Sequence, residues 1–421
     1  MNYTAELSFY KKTLYEDVLP FWEKYAPDEE CGGFFTCFSG NGEKMLSTDK
    51  YIWSQGRMLY VLGKILSRGE ISAERLAFLE KMGDKTAAFL MAHARLENGA
   101  CTFLTDREGN KKLAGRVYDS SIYVDCFVII GIATFAAYKK DRAMLAFATE
   151  LYEHAKARCL SGNFNTDPYP VPKGCSTHGV PMIFTNTSYT LAEAMRALGD
   201  AASEALYRDA YTFSCDVLDR FVDENGVLHE MIFEGDRFDF DRLLGRYINP
   251  GHTIEDCWFL ADACGRFGDA VRMEKILRVL KNALSRGWDE EFSGIRLFVD
   301  CEGGDPRGTV DDEKEEMVRK VQADNGAKLW WVHSESLYSC LRFSDDREIA
   351  AWYEKIKDYT FKTFPNTENG RGEWIQIRDR EGKPENRVVA LPVKDPFHIM
   401  RNLILLIEEC EKRIARSGKN E

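Results

Sequence analysis

The stretch NPGHTIEDCWFL, residues 249–260, is the clearest of several helix starts that recur along this 421-residue chain. The Asn-Pro-Gly triplet breaks the preceding segment and good helix formers follow, so His252 is predicted in the first turn of a helix. His252 and Glu255 are three residues apart and therefore share one helical face. There the carboxylate can orient the imidazole or bind a hydroxyl, and the helix N-terminus disfavours a permanently protonated ring. The pair predicts a neutral general base, unless His252 only caps the helix and Glu255 faces solvent.

A hairpin followed by an apolar helix recurs on both sides of residues 249–260. A glycine turn between apolar runs is typical of a short hairpin. Such patterns occupy residues 31–45, 99–113, 220–233, 294–304 and 373–384. An apolar helix follows each hairpin, and one more follows an irregular stretch rich in Gly, Asn and Pro at residues 163–179. The chain is therefore predicted to consist of repeats.

Six apolar helices predict a barrel. Their starts are anchored at Trp53, Tyr123, Pro181, His252, Trp331 and Phe397, which recur roughly every 70 residues. A repeat of this length holds two helices and a connecting hairpin. Amphipathic, charged segments such as residues 72–96 and 269–288 lie between the anchors and are expected to form an outer layer. Six inner and about six outer helices predict an all-α fold, an (α/α)6 barrel in a single domain over residues 1–421. Short β-hairpins are expected at the end where the inner helices begin.

Composition and charge predict a cytoplasmic protein that binds neither nucleic acid nor membranes. The net charge is −12 and the basic residues are dispersed among the acids, which argues against a nucleic-acid partner. No window approaches about 18 consecutive apolar residues, and the N-terminus lacks the basic and apolar regions of a signal peptide. Twelve scattered cysteines without a CxxC pair predict buried thiols in a reducing compartment. Seven histidines without an HExxH pair leave no metal site predicted.

The polar residues at the six helix starts are predicted to converge, because every hairpin precedes an inner helix. They would surround one mouth of the barrel, where a small ligand would bind. Trp53 and Arg57 stand four residues apart, and so do Trp331 and Glu335. An indole beside a charged group suits a sugar, since the apolar face of a pyranose stacks on the ring while the charge binds hydroxyls. The alternative for the first pair is a core tryptophan and a salt-bridged arginine.

Further candidates for substrate contacts lie at or just before the other helix starts. Tyr123 and Met182 suit core packing at least as well as ligand binding, although the hydroxyl of Tyr123 keeps it a candidate. The remaining candidates are His178, Phe397 and Arg401.

His398 is a second histidine at an inner-helix start, two repeats after His252 in a ring of six. The two imidazoles are expected to face each other across the cavity. Such a pair suits the removal and return of a proton from opposite faces of a carbon. In a reducing sugar the acidic proton is on C2 of the open-chain form, and Arg57 would stabilise the oxygen of the resulting enolate. Return of the proton to the other face of C2 gives the epimer, and delivery to C1 gives a ketose.

Four motifs in register resemble the N-acylglucosamine 2-epimerase family, which includes cellobiose 2-epimerases and mannose isomerases. They are WSQGR (53–57), NPGHTIEDCWFL (249–260), KLWWVHSES (328–336) and PFHIMR (396–401). The resemblance extends from residue 21 to residue 406, nearly the whole chain. It implies the same (α/α)6 barrel.

The resemblance also implies roles for the site residues. It makes His252 and His398 the paired acid and base. Arg57 would hold the ring or carbonyl oxygen, and Glu255 would be a polar partner near the site. The implied substrate contacts are Tyr123, Trp331 and Glu335. No redox or electrophilic cofactor is required, whereas nucleotide activation and a homodimer are expectations by analogy with relatives alone.

The chain departs from the family pattern at a few positions. Met400 and Val332 replace prolines, and Asp395 stands where a glycine is expected. His178 stands where the N-acylglucosamine enzymes tend to have an apolar residue. The cellobiose and mannose enzymes usually carry a histidine near the position of Met182, so this part of the chain resembles the N-acylglucosamine branch. The acid and base are kept, and the substituent at C2 is left open.

The predicted function is reversible C2 epimerisation of an N-acetylated amino sugar, which interconverts N-acetylglucosamine and N-acetylmannosamine. The alternative on the same scaffold is an aldose–ketose isomerase or 2-epimerase for an unsubstituted hexose or disaccharide of the mannose, glucose or cellobiose type. Barrels of this kind also host glycoside hydrolases with a carboxylate pair, but histidines dominate the predicted site. A barrel that only binds a sugar would not need the second histidine.

Overall fold

The computed structural model describes residues 1–367 and 369–418 of the chain. Within this part, helices form the body of the molecule and short strands lie in the connections. In chain order the helices are α1 (Tyr3–Lys12), α2 (Leu19–Tyr25), α3 (Ile52–Arg68), α4 (Ala73–His93), α5 (Ile122–Lys139), α6 (Arg142–Ser161), α7 (Gly179–Ala197), α8 (Ser203–Asp216), α9 (Leu243–Arg246), α10 (Pro250–Arg266), α11 (Ala270–Gly287), α12 (Glu316–Asp324), α13 (Trp330–Arg342), α14 (Arg347–Thr363) and α15 (Phe397–Ser417). Two π-helical segments, Thr13–Val18 and Val217–Phe221, extend α1 and α8.

Six of these helices form a closed inner ring and confirm the predicted barrel. The helices α3, α5, α7, α10, α13 and α15 pack against one another in this order, and α15 returns to α3. Each begins within two residues of its predicted anchor. The outer helices α4, α6, α8, α11 and α14 each pack against the inner helix that precedes them, and α1 packs against α15. The N-terminal helix therefore completes the outer layer beside the last helix of the chain.

One hydrophobic core runs through all six inner helices and into the outer layer. Its continuity is what a single domain requires. The assignment of one domain to residues 1–421 stays a prediction, because residues 368 and 419–421 lie outside the described part of the chain.

The helix α5 is apolar on all sides because it is surrounded by other helices. It contacts α3 and α7 in the ring and α4 and α6 outside it. By length and composition alone α5 is apolar enough to cross a membrane, but 72% of it is buried inside the barrel. Its contact with α3 is very close: a Cβ at Gly131 would lie 2.2 Å from the carbonyl oxygen of Gly56, and one at Gly56 would lie 2.4 Å from that of Phe127. This approach brings Arg57, the neighbour of Gly56, against the ring of Phe127.

The strands join successive repeats, which corrects the prediction of a separate hairpin in each repeat. They are β1 (Lys50–Tyr51), β2 (Leu104–Thr105), β3 (Lys111–Lys112), β4 (Cys175–Thr177), β5 (Met231–Phe233), β6 (Tyr247–Ile248), β7 (Val299–Asp300), β8 (Lys328–Leu329) and β9 (Ile377–Arg378). Residues 99–113 do form a hairpin, through β2 and β3.

Elsewhere the strand before one inner helix pairs with the connection that leads to the next. β1 pairs with β2, β4 with β5, β6 with β7, and β8 with β9, all antiparallel. Pairing inside three of the other predicted hairpins, at residues 31–45, 220–233 and 373–384, is reduced to single bridges, such as the one between Val222 and Leu228. Neighbouring helix starts lie side by side at the barrel end, so backbone groups of the connections find their partners across repeats.

Candidate active site

One cavity opens at the end of the barrel where the inner helices begin, and all six inner helices contribute to its wall. Nine of the residues predicted from the sequence line it: Trp53, Arg57, Tyr123, Met182, His252, Glu255, Trp331, His398 and Arg401. Apolar side chains from the connections and from α12 complete the wall, among them Met231, Phe298 and Met317. The short helices α9 and α12 were not predicted from the sequence.

Three predicted substrate contacts do not line the cavity. His178, Glu335 and Phe397 are all 0% exposed. The prediction for these three is corrected, because they lie behind the residues that form the wall. Glu335 shares a helical stripe with Trp331 but lies one turn further along α13, where it is fully buried. Phe397 packs its ring 5.2 Å from the guanidinium carbon of Arg57.

A carboxylate that the sequence did not single out holds His252. The backbone N–H of His252 donates to the side chain of Asn249 at 3.2 Å, which confirms the predicted helix start. Its Nδ1 lies 3.3 Å from Oε2 of Glu230, and its side chain is 28% exposed. Burial lowers the pKa of His252, but the carboxylate of Glu230, with a smaller contribution from Glu255, more than offsets this, and the pKa is raised. The predicted pairing with Glu255 is therefore corrected, because the carboxylate at Nδ1 is that of Glu230.

Glu230 reaches this position through the pairing of β4 with β5. It directly precedes β5, and its carbonyl oxygen accepts the backbone N–H of His178 at 3.1 Å. The signal in the sequence was an acid within the largely apolar run 227–233. Burial raises the pKa of Glu230, but the imidazoles of His178 and His252 lower it by more than this. The pKa of Glu230 is therefore well below the usual carboxyl range. Glu230 is therefore an ionised carboxylate between two histidines.

Glu335 holds His398 in a similar way. Nδ1 of His398 lies 2.7 Å from Oε1 of Glu335. The same carboxylate accepts hydrogen bonds from the guanidinium of Arg401, from the amide of Asn402 at 2.7 Å and from the indole of Trp258 at 3.1 Å. Burial raises the pKa of Glu335, but the charge of Arg401 and the bond from His398 lower it below its usual range. This carboxylate is thus ionised and fully surrounded by donors.

Arg401 joins Glu255 to the His398 side of the cavity. Its guanidinium hydrogen-bonds both Glu255 and Glu335. The ligand atoms of Glu255, Glu335 and His398 lie within 4.8 Å of one another, a spacing that also suits a metal ion. In this arrangement Arg401 already balances the charge of the carboxylates. The hydrogen-bond partner of Glu255 is therefore Arg401 and not His252, to which the sequence had assigned it.

Trp331 lies beside both histidines. Its ring centroid is 5.2 Å from that of His252, with the planes 33° apart, and 5.7 Å from that of His398, with the planes 41° apart. A carboxylate occupies Nδ1 of each histidine, so Nε2 is the nitrogen left to meet a ligand. The indole thus provides an aromatic platform with two imidazoles beside it.

Arg57 projects into the same cavity from α3. Its guanidinium carbon lies 3.9 Å from the ring centroid of Phe127 and 4.6 Å from that of Trp53, so aromatic rings fix its position. Its Nη1 donates to Oδ2 of Asp395 at 2.9 Å. The same oxygen lies 3.7 Å from Nε2 of His398. Asp395, which the sequence marked only as a departure from the family pattern, therefore sits between the arginine and one histidine.

Comparison with known proteins agrees with this geometry. The model of the family N-acylglucosamine 2-epimerase (GlcNAc 2-epimerase) matches residues 33–401, most of the chain. The chain belongs to this family. Membership confirms the family predicted from the four motifs, and with it the enzyme class, a carbohydrate epimerase or isomerase.

Individual relatives match over nearly their whole length. The chain is 28% identical over 424 residues to N-acylglucosamine 2-epimerase of Mus musculus, which covers 95% of this chain and 91% of the relative. The structure of cellobiose 2-epimerase from Bacillus thermoamylovorans superposes with a TM-score of 0.76 at 18% identity, covering 96% of this chain and 99% of that one. A D-mannose isomerase superposes with a TM-score of 0.73 at 15% identity, covering 96% and 97%. The structural likenesses establish the shared barrel fold.

Proposed function

We propose that the protein interconverts N-acetylglucosamine and N-acetylmannosamine by moving the C2 proton of the open-chain sugar between His252 and His398. The observation that carries this proposal is the pair of imidazoles in one cavity, each held at Nδ1 by a buried carboxylate. The family, whose members include N-acylglucosamine 2-epimerases, supports the choice of sugar.

The reaction requires one base and one acid. Nε2 of one neutral histidine takes the proton from C2, and the electrons of the C–H bond form the C1–C2 double bond of an enolate whose negative charge is on O1. The guanidinium of Arg57 stabilises that charge as it develops. The second histidine, which carries a proton on Nε2, then delivers it to the opposite face of C2. The sum is inversion at C2, with the proton on one histidine replaced by a proton on the other.

The two carboxylates differ in how their charge is balanced. Glu335 is paired with the guanidinium of Arg401 as well as with His398, whereas the contacts of Glu230 among the described residues are to the imidazoles of His178 and His252. A carboxylate without a permanent cation stabilises a protonated imidazole more strongly. In the free enzyme we therefore assign the mobile proton to His252. The direction of reaction that starts from this form uses His398 as the base.

The apolar wall suits the acetamido group. Met182 and Met231 both line the cavity, and Met231 pairs with Thr177 just before α7. A thioether wall provides an environment for the acetyl methyl group. A hexose without this substituent would leave the wall unfilled, and the alternative activity on mannose, glucose or cellobiose is an outcome of the same test.

The experiment is proton NMR of N-acetylmannosamine and of mannose, each incubated with the protein in D2O. We expect the C2 proton signal of N-acetylmannosamine to disappear while deuterated N-acetylglucosamine accumulates. A change in mannose alone would replace this proposal with an isomerase or epimerase for unsubstituted sugars. Exchange in neither sugar would contradict both activities.

The finer expectations about cofactors and location belong to the same proposal. Proton transfer between two histidines requires no redox or electrophilic cofactor and no metal, and nucleotide activation and a homodimer remain proposals by analogy. A cytoplasmic location is supported by the twelve cysteines, which are free thiols and for the most part buried. Gel filtration at several protein concentrations, with and without ATP, tests the dimer and its response to nucleotide.

A further inference from the structure

A chain of buried ionisable groups continues behind His252. Oε1 of Glu230 lies 3.5 Å from Nδ1 of His178, and Nε2 of His178 lies 4.0 Å from Oδ2 of Asp256. His178 and Asp256 are both 0% exposed, and Glu230 is 6% exposed. Neither His178 nor Asp256 lines the cavity or has a place in the proton transfer described above. The four groups form a row that leads from the cavity into the core.

His178 and Asp256 leave polar atoms unpaired in the core. Among the described residues none hydrogen-bonds either ring nitrogen of His178 or either carboxyl oxygen of Asp256. Burying such a group without a partner costs about 1–3 kcal/mol. An apolar residue at either position would avoid this cost. The pair is therefore unexplained by packing, and its distances show that small movements would complete a row of hydrogen bonds.

The charges around the row determine which of its members carry protons. Burial raises the pKa of Asp256 well above the usual carboxyl range, and the nearby carboxylates Glu255 and Glu230 raise it further. Asp256 is thus a neutral carboxylic acid, whose hydroxyl can donate to Nε2 of His178. Nδ1 of His178 is the ring nitrogen that faces Glu230.

The remaining ionisable groups that face the row add no further charge to it. Glu255 is paired with Arg401. The others are three tyrosines and the thiol of Cys257, whose pKa values burial raises, so they stay neutral: Tyr123, Tyr169, Tyr247 and Cys257.

We propose that Asp256 and His178 are positioning residues that share the charge of Glu230 and so limit how tightly His252 holds its proton. The neutral acid Asp256 fixes His178 in the tautomer with its proton on Nδ1, and that N–H takes part of the charge of Glu230. Without this donor, the whole charge of Glu230 would act on the imidazolium of His252 and stabilise it more strongly. The proton on His252 would then be released less readily to the substrate. The kinetic consequence rests on the proposed two-histidine reaction, whereas the effect on the titration of His252 does not.

The first test is the titration of His252 in the folded protein. With histidine labelled at Cε1, NMR resolves the seven imidazoles, and His252→Gln assigns the signal of His252 by its loss. In His178→Phe we expect the midpoint of His252 to rise by on the order of one pH unit. The neighbouring variant Cys257→Ala is the control, because Cys257 is buried on α10 but its Sγ faces the carbonyl oxygen of Ile276. An unchanged midpoint in folded His178→Phe overturns the proposal.

A second variant tests the protonated state of Asp256. Asp256→Asn keeps a neutral donor for His178, so the midpoint of His252 is expected to stay where it is in the parent protein. If Asp256 were ionised, the substitution would remove a negative charge and the midpoint would fall, which would overturn the proposal. This result does not depend on whether His178→Phe folds.

The pH dependence of kcat/KM distinguishes an electrostatic role of His178 from a packing role, because loss of packing alone would not shift it. Both directions of an epimerisation use the same singly protonated histidine pair, so a rise in the pKa of His252 moves the basic limb of the kcat/KM profile upward equally in both. We expect that shift in His178→Phe and not in Asp256→Asn. A profile lowered in height but unshifted would overturn the proposal. If the parent protein turns over no sugar, the proposed function fails, while the NMR titration still decides this inference.

Discussion

Replacement of Glu230 by glutamine tests the electrostatic basis of the proposed site. The carboxylate lies 3.3 Å from Nδ1 of His252 and opposes the effect of burial on that imidazole. Glutamine is close in size and its amide oxygen can still accept the Nδ1–H hydrogen bond. The substitution therefore removes the charge while it keeps the contact. With the charge of Glu230 gone, only the weaker effect of Glu255 opposes burial, and the pKa of His252 is expected to fall.

The size of the effect follows from the distance. Two unit charges 3.3 Å apart interact by about 5 kcal/mol at an effective dielectric constant near 20. The cost of burying the charged carboxylate of Glu230 offsets part of this interaction energy. Opposite charges at such distances shift a pKa by about 1–3 units. That range corresponds to about 1.4–4 kcal/mol. Above the new pKa, His252 would no longer carry the proton it must donate, so kcat/KM at pH 8 is expected to fall about 10- to 1000-fold.

The assay is the pH profile of kcat/KM in both directions, measured by NMR of the two epimers. A folded-state pKa that falls shifts the basic limb to lower pH, and the shift must be the same in both directions because they share one singly protonated enzyme. Glu234→Gln is the control, since Glu234 is exposed on the same connection. A Glu230→Gln profile that is lowered without a shift, or shifted upward, would refute the reasoning.

Other substitutions test the remaining contacts. Arg57→Ala should lower kcat by about 10²–10³ and weaken affinity, because its charge acts on the enolate oxygen; an unchanged kcat would remove it from the mechanism. Asp395→Asn removes the charge 2.9 Å from Arg57, so an anionic sugar acid should inhibit about tenfold more tightly, or by about 1.4 kcal/mol, and an unchanged inhibition constant would contradict this. Gly131→Ala should destabilise the fold by about 1–3 kcal/mol in thermal unfolding, because its Cβ would lie 2.2 Å from a carbonyl oxygen of α3. Gly265→Ala, in open space on α10, is the matched control, and equal stability of the two variants would refute the packing argument.

The barrel was predictable because its signals are local and periodic. In the sequence, an apolar run after a turn or irregular stretch marks each inner helix. The observed helix starts agree with the predicted anchors to within two residues. The helix start before His252 followed from the Asn-Pro-Gly triplet, and the structure confirms it by the hydrogen bond from the N–H of His252 to the side chain of Asn249. Helix spacing also determined which residues reach the cavity wall, as for Trp331 and Arg57.

The partners of the two histidines were not predictable, because they come from other parts of the chain. Glu230 is 22 residues before His252, on a connection whose position depends on the pairing of β4 with β5. Glu335 is 63 residues before His398 and approaches it only because α13 packs against α15. The spacing of His252 and Glu255 suggested a bond within one helix, but Arg401 attracts that carboxylate to the other side. Sequence patterns show which residues share one face of a helix. Which side chains from different helices meet depends on how the helices pack.

The most direct test of the two-histidine reaction is hydrogen exchange at C2 in the single variants His252→Asn and His398→Asn. Each variant is incubated in D2O with N-acetylglucosamine and, separately, with N-acetylmannosamine, and the C2 proton is followed by NMR. We predict that neither variant interconverts the sugars, and that each exchanges the C2 proton of only one epimer, a different epimer for each variant. If either variant epimerises at a near-normal rate, or if both exchange the same epimer, the assignment of one histidine to each face of C2 is wrong.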